Sequence, residues 1–300
     1  ERVPPIHIDV GLSKGCNIRC QYCFGVLQGN FYRKGAERVF PREPLLRYMK
    51  DAGACGVRSM ALVGEGEPLL NPSVYDAIVA GRSSGVDMAL GTNGILYDTG
   101  AAGAGALEHL TWIRFNISAA SEDAYRRIHA SKDFQTALAK IRFCVEYQRR
   151  RNLPVTIGLQ MVLTPQNVDQ VVPLARLGRE LGVNYLVIKQ CSDTVESRLG
   201  VFKHLGQYDG FREMLQEAEA QSTDMYDVIV KWNKVLNKGA RTYPRCLGVP
   251  FLLYSSGDAR LYPCGMFFDE REEEFRMGDL AQQSFTEILA SERYWEVVER

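Results

Sequence analysis

The chain has 300 residues, enough to bury a substantial core in one barrel-sized domain with an appendage. Lys plus Arg and Asp plus Glu both number 36, so the zero formal net charge gives no broad attraction for nucleic acid or an anionic membrane. No apolar run approaches the roughly 18 residues of a membrane span, and the first residues do not resemble a signal peptide, so we expect a cytoplasmic protein with neither a nucleic-acid nor a membrane partner.

Short β-rich runs alternate with helical stretches through the first 190 residues. The predicted strands are His7–Val10, Ser59–Val63, Asp87–Gly91, Trp112–Ser118, Val155–Leu163 and Tyr185–Lys189. The predicted helices are Pro44–Ala54, Pro72–Ser84, Ala102–Leu110, Glu122–Ala130, Phe134–Arg151 and Val168–Leu181. Six βα repeats predict a parallel sheet with right-handed crossovers. They are too few for a closed eight-stranded barrel, so we predict an α/β fold with a partial (β/α)6 barrel and its chemistry at the carboxyl ends of the strands.

The regular alternation of predicted strands and helices ends after about residue 200. Tyr208–Gln221 looks helical, Met225–Val230 looks extended, and Ser284–Arg300 looks like a final helix. From residue 241 the composition shifts to Cys, Pro, Gly and aromatic residues, with a hairpin-like turn at residues 255–258. We therefore predict a barrel over residues 1–200, a helical linker over 201–240 and a small Cys-bearing hairpin and helix extension over 241–300.

Three cysteines follow the first predicted strand with the spacing C-x3-C-x2-C, at Cys16, Cys20 and Cys23. A structural zinc site takes four ligands, and no fourth Cys or His follows nearby. A redox C-x-x-C pair would leave Cys16 unused. Three thiolates on a four-iron cluster would leave one iron open to a further ligand, much as catalytic zinc keeps an open position. Iron–sulfur chemistry is therefore the favoured interpretation, and a zinc or buried-thiol loop is the alternative.

This loop, placed after the first of six βα repeats, resembles the signature of the radical S-adenosylmethionine (SAM) superfamily over about the first 190 residues. The resemblance implies that Cys16, Cys20 and Cys23 hold a [4Fe–4S] cluster that cleaves SAM to a 5′-deoxyadenosyl radical. It places Tyr22, the aromatic residue between the second and third cysteines, near the adenine. It also implies an external one-electron reductant such as flavodoxin or ferredoxin.

A glycine-rich segment, Gly64-Glu65-Gly66-Glu67-Pro68, follows the second predicted strand. Glycines permit a close backbone approach there, and a carboxylate can accept hydrogen bonds from an ammonium group. The segment resembles the Gly-Gly-Glu-Pro motif of the superfamily, with Glu65 where the first glycine would be. The resemblance implies that Gly66 and Glu67 bind the amino group of SAM; an ordinary strand-to-helix turn is the alternative.

Polar residues also follow the third and fourth predicted strands. Thr92 and Asn93 end the third strand in a Thr-Asn-Gly turn, similar to a loop that many superfamily members place beside SAM. Asn116 and Ser118 alternate with apolar residues on the fourth strand, so they face one side. The resemblance implies that Ser118 contacts the ribose or the carboxylate of SAM.

Three further residues are candidates on the fifth and sixth strands. Gln160 and Lys189 are candidates to point into the barrel and contact SAM, although a salt bridge at the rim is an equally good interpretation of Lys189. Cys191 follows the sixth strand and is a candidate hydrogen-atom donor, with a structural thiol as the alternative.

Cys246 and Cys264 flank the predicted hairpin near the end of the chain. This arrangement resembles the opening half of a SPASM/twitch extension, which implies an auxiliary Fe–S cluster. Two thiolates fall short of the usual four ligands. Either further ligands follow residue 300, or the auxiliary site has fewer ligands, is lost or is completed by another residue. The alternative is that Cys246 and Cys264 are simply buried thiols.

The expected function is oxidation or epimerisation of a small polar, sugar- or aminoglycoside-like substrate in natural-product or cofactor biosynthesis. An auxiliary cluster would favour oxidation, whereas a hydrogen donor at Cys191 would favour epimerisation. The alternatives are a maturase that modifies a ribosomal peptide or a protein, and, from another class, a non-catalytic zinc-binding scaffold.

Overall fold

A computed structural model describes residues 3–23, 38–192, 200–237, 246–268 and 271–300. Its centre is a ten-stranded sheet of order β12-β11-β10-β1-β4-β5-β6-β7-β8-β9, and β2 and β3 form a separate pair. The strands are β1 (His7–Val10), β2 (Ser13–Lys14), β3 (Arg38–Val39), β4 (Ser59–Leu62), β5 (Asp87–Thr92), β6 (Leu110–Asn116), β7 (Thr156–Leu163), β8 (Tyr185–Gln190), β9 (Asp227–Val230), β10 (Leu252–Ser255), β11 (Arg260–Tyr262) and β12 (Gly278–Asp279).

Helices connect the strands and cover the sheet. They are α1 (Arg42–Ala54), α2 (Val74–Ser83), α3 (Ala101–His109), α4 (Glu122–His129), α5 (Phe134–Arg151), α6 (Val171–Leu181), α7 (Arg212–Glu219), α8 (Trp232–Leu236), α9 (Glu272–Phe275), α10 (Phe285–Ala290) and α11 (Glu292–Glu299). Short 3-10 turns lie at Pro68–Leu70, Val168–Gln170, Val201–Phe211 and Gly265–Phe267. Within the described ranges, no helix combines the length and the apolar character that crossing a membrane requires.

The six predicted strands form the parallel centre of the sheet. β1, β4, β5, β6, β7 and β8 pair side by side, each parallel to the next. Nearly all residues of β5 and β7 are buried, as expected for strands with both faces covered. The predicted α/β fold with a partial (β/α)6 barrel is confirmed, and the carboxyl ends of these strands lie at one edge.

The sheet extends beyond the six predicted strands on both sides. β9 pairs parallel with β8 and comes from the segment predicted as a helical linker. Its outward and inward residues alternate, with Val228 and Val230 buried. On the other side β10 pairs parallel with β1, and β10 and β11 form the predicted hairpin. The hairpin extension therefore continues the barrel sheet.

The predicted final helix, Ser284–Arg300, is wrong in one respect, because the structure has two helices, α10 and α11. The backbone is extended at Ser291, with φ −73° and ψ 148°, and its side chain accepts a hydrogen bond from the Tyr294 N–H as the cap of α11. A capping box of Ser284 and Glu287 starts α10. Two serine caps within one apolar pattern separate the segment into two helices.

Candidate active site

A cavity of about 590 Å³ opens at the carboxyl ends of the parallel strands. Most of the residues proposed from the sequence line it, namely Cys16, Cys20, Tyr22, Cys23, Gly66, Glu67, Asn93, Asn116, Gln160, Lys189, Cys191 and Cys264. Three do not: Thr92 and Ser118 are buried behind the wall, and Cys246 is exposed. Side chains distant in sequence thus share one cavity because parallel strands end at the same edge.

The three cysteines of the loop after β1 are thiols without disulfide bonds, each partly buried. Burial raises the pKa of Cys16 to about 12, and the proximity of Glu67 and Cys23 adds to this. The pKa of Cys20 is raised by burial first and then by Cys23 and Cys16. Burial and the mutual charges thus disfavour the thiolate forms of these cysteines, and bonds to iron would stabilise the thiolates.

The donor set fits a cluster better than a single ion. Among the residues that the structure describes, no three Cys, His, Asp or Glu side chains converge as a single metal ion needs. A four-iron cluster is held by thiolates carried on separate irons, so its ligands need not meet at one point. Cys16, Cys20 and Cys23 around one cavity are compatible with that arrangement.

His129, at the end of α4, belongs to the site although it was not among the residues proposed from the sequence. Its Nδ1 lies 3.0 Å from the Sγ of Cys20, and its Nε2 accepts a hydrogen bond from the Ser118 N–H at 3.0 Å. The side chain is fully buried, and burial lowers its pKa to about 3, so the ring is neutral. Because Nε2 accepts, the proton is on Nδ1 and points at the sulfur.

The same helix end holds the cysteine loop in place. The backbone N–H of Arg19 donates to the carbonyl of His129 at 3.2 Å, and that of Gln21 donates to the carbonyl of Ile128 at 3.0 Å. The final carbonyls of a helix otherwise have no partner within the helix. The loop thus provides hydrogen-bond donors for the last carbonyls of α4, and these hydrogen bonds in turn fix the position of Cys20.

Tyr22 and Ser118 form a hydrogen-bonded pair beneath the loop. The two hydroxyls lie 2.7 Å apart, and the Ser118 hydroxyl also accepts from the Val162 N–H at 3.1 Å. The chain leaves β6 at Asn116, so Ser118 follows the strand instead of ending it. The contact of Ser118 with SAM stays a prediction, and in this structure its hydroxyl is engaged by protein groups.

Gly66 allows the segment after β4 to lie against the cysteine loop. A Cβ at this position would come within 2.3 Å of the Ser13 carbonyl oxygen and 2.4 Å of that of Gly15. The next residue, Glu67, donates its backbone N–H to the Gly15 carbonyl at 2.7 Å. Only glycine permits this approach, which brings the two loops together as one wall of the cavity.

The Glu67 carboxylate accepts three hydrogen bonds from its own chain. It accepts from the Thr92 hydroxyl at 2.5 Å, the Asn93 N–H at 2.8 Å and the Leu69 N–H at 3.1 Å. The Asn93 side chain in turn donates to Asn17 at 2.7 Å and lies 3.7 Å from the Cys16 sulfur. Glu67 therefore joins the loops after β4 and β5, and its predicted contact with the SAM amino group stays a prediction.

Polar and cationic side chains of β6, β7 and β8 also line the cavity. The Gln160 amide donates to Asn116 at 2.9 Å across β7 and β6. Burial, together with the charges of Arg114 and Lys234, lowers the pKa of Lys189 to about 8. No ion pair of Lys189 occurs within the described residues, so the rim salt bridge considered from the sequence is not found there.

The remaining cysteine candidates lie at the mouth of the cavity or near it. The Cys191 sulfur is 3.2 Å from the Ser192 carbonyl oxygen and 3.9 Å from that of Tyr22. Burial raises the pKa of Tyr254 to about 12, and the charges of Asp9, Cys264 and Cys246 add to this. Cys264 lines the cavity, whereas Cys246 is exposed.

Comparison with known proteins agrees with this geometry. The family model "Radical SAM superfamily" matches residues 10–178, more than half of the chain. The chain belongs to the radical SAM superfamily. This is the superfamily that the sequence predicted, whose members use a [4Fe–4S] cluster and SAM.

Individual relatives are more distant. The chain is 29% identical over 180 residues to pre-heme d1 synthase of Dinoroseobacter shibae, a match that covers 58% of this chain and 40% of that protein. It is 26% identical over 190 residues to a GTP 3′,8-cyclase of Helicobacter pylori, covering 63% and 56%. SuiB of Streptococcus suis, bound to SAM, has the same fold with a TM-score of 0.73 at 13% identity, covering 98% and 68%. The chain thus spans about half the length of these two sequence relatives.

Proposed function

We propose that this protein cleaves SAM at a cluster held by Cys16, Cys20 and Cys23 and removes hydrogen from a substrate C–H bond in the adjoining cavity. One observation supports this above the others: the three thiols share a cavity wall with Gly66 and Asn93. When bound, the reduced cluster supplies the electron that breaks a sulfur–carbon bond of SAM and yields the 5′-deoxyadenosyl radical.

The residues of this chain would bind and orient SAM and the substrate, and they would exclude water from the cavity. Trp112, Tyr254 and Phe268 line the cavity and would shield reactive groups from solvent. The Asn116–Gln160 pair holds two amides in fixed orientation, where each keeps hydrogen-bonding capacity for a ligand. Tyr22, within the cysteine loop, lines the cavity and hydrogen-bonds Ser118, and we assign it to the adenine side of SAM.

The substrate that we propose is small and polar, and the outcome is oxidation or epimerisation in natural-product or cofactor biosynthesis. The polar wall supports a small polar substrate, and the buried Cys191 thiol on the cavity supports a hydrogen-atom donor. A SPASM/twitch-type extension with an auxiliary cluster at Cys246 and Cys264 would favour oxidation. Modification of a peptide is the alternative.

We place the enzyme in the cytoplasm with flavodoxin or ferredoxin as its electron donor. All eight cysteines are described and all are thiols without disulfides, which suits a reducing compartment.

The test is anaerobic reconstitution with iron, sulfide, dithionite and SAM. The native protein should bind iron and release 5′-deoxyadenosine, whereas Cys16→Ala, Cys20→Ala and Cys23→Ala should do neither. Cys55→Ala is the matched control, because Cys55 follows the last residue of α1, lies 3.5 Å from the Thr286 hydroxyl and does not line the cavity. Equal yields from the native protein and the three loop variants would refute the proposal.

A further inference from the structure

Two cationic side chains lie in the cavity away from the cysteine loop. Arg114 is two residues from the end of β6, about 7 Å along the strand. Its guanidinium carbon lies 4.9 Å from the ring centroid of Trp112, which holds the planar group in orientation. Its Nε is fully buried and has no hydrogen-bond acceptor among the described residues. A buried guanidinium nitrogen without an acceptor is costly unless a ligand supplies one.

Lys189, near the end of β8, reinforces the positive charge of this wall. Desolvation and the nearby Arg114 and Lys234 disfavour its charged form, which an incoming anion would stabilise. Neither Arg114 nor Lys189 forms an ion pair with any residue in the described ranges.

Three acidic side chains also line the cavity, Asp9, Glu65 and Glu67. Asp9 acts on Lys189 through its charge, and its carboxylate lies 3.1 Å from the His7 Nε2. One oxygen of Glu65 accepts from the Gly257 N–H, and Glu67 accepts three hydrogen bonds as described above. Within the described residues none of the three carboxylates forms an ion pair with Arg114 or Lys189, so both cations keep donors for a ligand.

We propose that Arg114 and Lys189 form an anion-binding subsite for the substrate, which carries a phosphate or a carboxylate group. This inference rests on the proposed function and narrows its substrate. Arg presents paired N–H donors that match both oxyanions, and Lys adds a point charge. The cysteine loop follows β1 and Asn93 follows β5, whereas Arg114 lies on β6 and Lys189 on β8, so the two cations come from strands other than those that lead into the cysteine and glycine loops.

The test is anaerobic calorimetry on the reconstituted enzyme with SAM present. Tripolyphosphate and GTP probe a phosphate, citrate probes a carboxylate, and guanosine is the uncharged comparison. At least one anion should bind while guanosine does not, and Arg114→Gln and Lys189→Gln should each weaken that binding about tenfold, because each removes a charged hydrogen-bond donor. Lys50→Gln removes an exposed charge on α1 and should change nothing.

Three results would overturn the subsite. The first is that no anion binds the native enzyme, and the second is that an anion binds the Arg114 and Lys189 variants as tightly as it binds the native enzyme. The third is that these variants lose affinity for SAM by the same factor as for the anion, which would assign the two cations to SAM. These failures differ from failure of the proposed function, in which the native enzyme itself would not cleave SAM.

A different observation, the contact of His129 with Cys20, carries a second inference. The Ser118 N–H occupies Nε2, so Nδ1–H is the group that lies 3.0 Å from the sulfur. The ring packs 4.4 Å from that of Tyr125 and edge-to-face with Tyr22 at 5.9 Å. These contacts leave the imidazole one orientation, with a single donor directed at a cluster ligand.

We infer that His129 is a positioning residue that raises the reduction potential of the cluster by donating a hydrogen bond to the Cys20 thiolate. This inference also rests on the proposed function. One electron from an external low-potential reductant makes the cluster more negative. A donor on a ligating sulfur stabilises that added charge, so reduction becomes more favourable.

Two variants separate this role from a purely structural one. An Asn side chain can place its amide donor near the Nδ1 position, whereas a Gln side chain can keep an acceptor near the Nε2 position for Ser118. His129→Gln should lower the equilibrium constant for one-electron reduction about tenfold, which corresponds to about 59 mV for a one-electron couple. His129→Asn should retain a potential near that of the native enzyme.

The measurement is a redox titration of the reconstituted cluster monitored by electron paramagnetic resonance, with iron content determined for each variant. Equal potentials for the native enzyme and His129→Gln would overturn the inference, even if that variant is less stable. Loss of iron from His129→Gln and His129→Asn alike would also overturn it, because the residue would then only hold the loop.

Discussion

Glu65 gives a quantitative prediction about stability and pH. Its side chain is 7% exposed; one oxygen accepts from the Gly257 N–H at 3.0 Å, and the other has no hydrogen-bond partner among the described residues. Burial raises its pKa from 4.5 to about 7, with Asp258 adding to the rise and the Gly257 N–H and Lys14 opposing it. The native protein therefore holds this proton more tightly than the unfolded chain does.

The sign of the pH dependence follows from that difference. Below about pH 4.5 the carboxyl is protonated in both states and costs no stability, whereas above about pH 7 it is ionised in both, and the native state bears the desolvation of a buried charge. Stability is lost as the pH rises between these values. At about 1.4 kcal/mol for each pH unit, the loss is about 3 kcal/mol.

Glu65→Gln should remove this dependence while retaining an oxygen for the Gly257 N–H. Relative to the native protein, the variant should gain about 3 kcal/mol of unfolding free energy between pH 5 and pH 8. Urea unfolding of both proteins across this range measures the gain. Glu213→Gln, which changes an exposed carboxylate on α7, is the control and should follow the native profile. A difference between Glu65→Gln and native protein that does not change with pH would refute the reasoning.

Three further substitutions test individual contacts. Gly66→Ala should push the loop after β4 away from the Ser13 carbonyl and weaken SAM binding at least about tenfold by calorimetry, since small displacements of positioning groups are costly; unchanged affinity would contradict this. Tyr22→Phe removes the hydrogen bond with Ser118 and should cost about 1 kcal/mol in urea unfolding, a cost that should vanish in a Ser118→Ala background. Ser291→Ala removes the cap of α11 and should also cost about 1 kcal/mol, and a stability equal to that of the native protein would show that the cap contributes nothing.

The parallel centre of the fold was predictable because its signals are local. Strands such as β7 are continuous apolar runs of strand length, and helices such as α5 end at the predicted residue. Once the strands are parallel, the topology itself brings the cysteine loop and the loops after β4 and β5 to one edge. The sequence therefore predicted the wall formed by Cys16, Gly66 and Asn93 without any knowledge of contacts.

The remaining features depend on contacts between residues distant in sequence. His129 reaches Cys20 across 109 residues because the end of α4 packs on the loop, and a histidine at the end of a helix gives no sign of such a contact. The Tyr22–Ser118 bond likewise arises from packing, as does the burial of the Arg114 Nε away from any acceptor in the described ranges. Ser291 is a typical cap residue and could have indicated the break between α10 and α11. The apolar periodicity on both sides of it instead favoured one continuous helix.

The proposed function requires one iron of the cluster that SAM, and no residue of this chain, ligates. Electron–nuclear double resonance on the reduced enzyme with SAM labelled with 15N at its amino group tests this directly. We expect a nitrogen coupling that is present in the native enzyme and that disappears when SAM is omitted. A reduced cluster that shows no coupling to the labelled nitrogen, with SAM bound in excess, would contradict it.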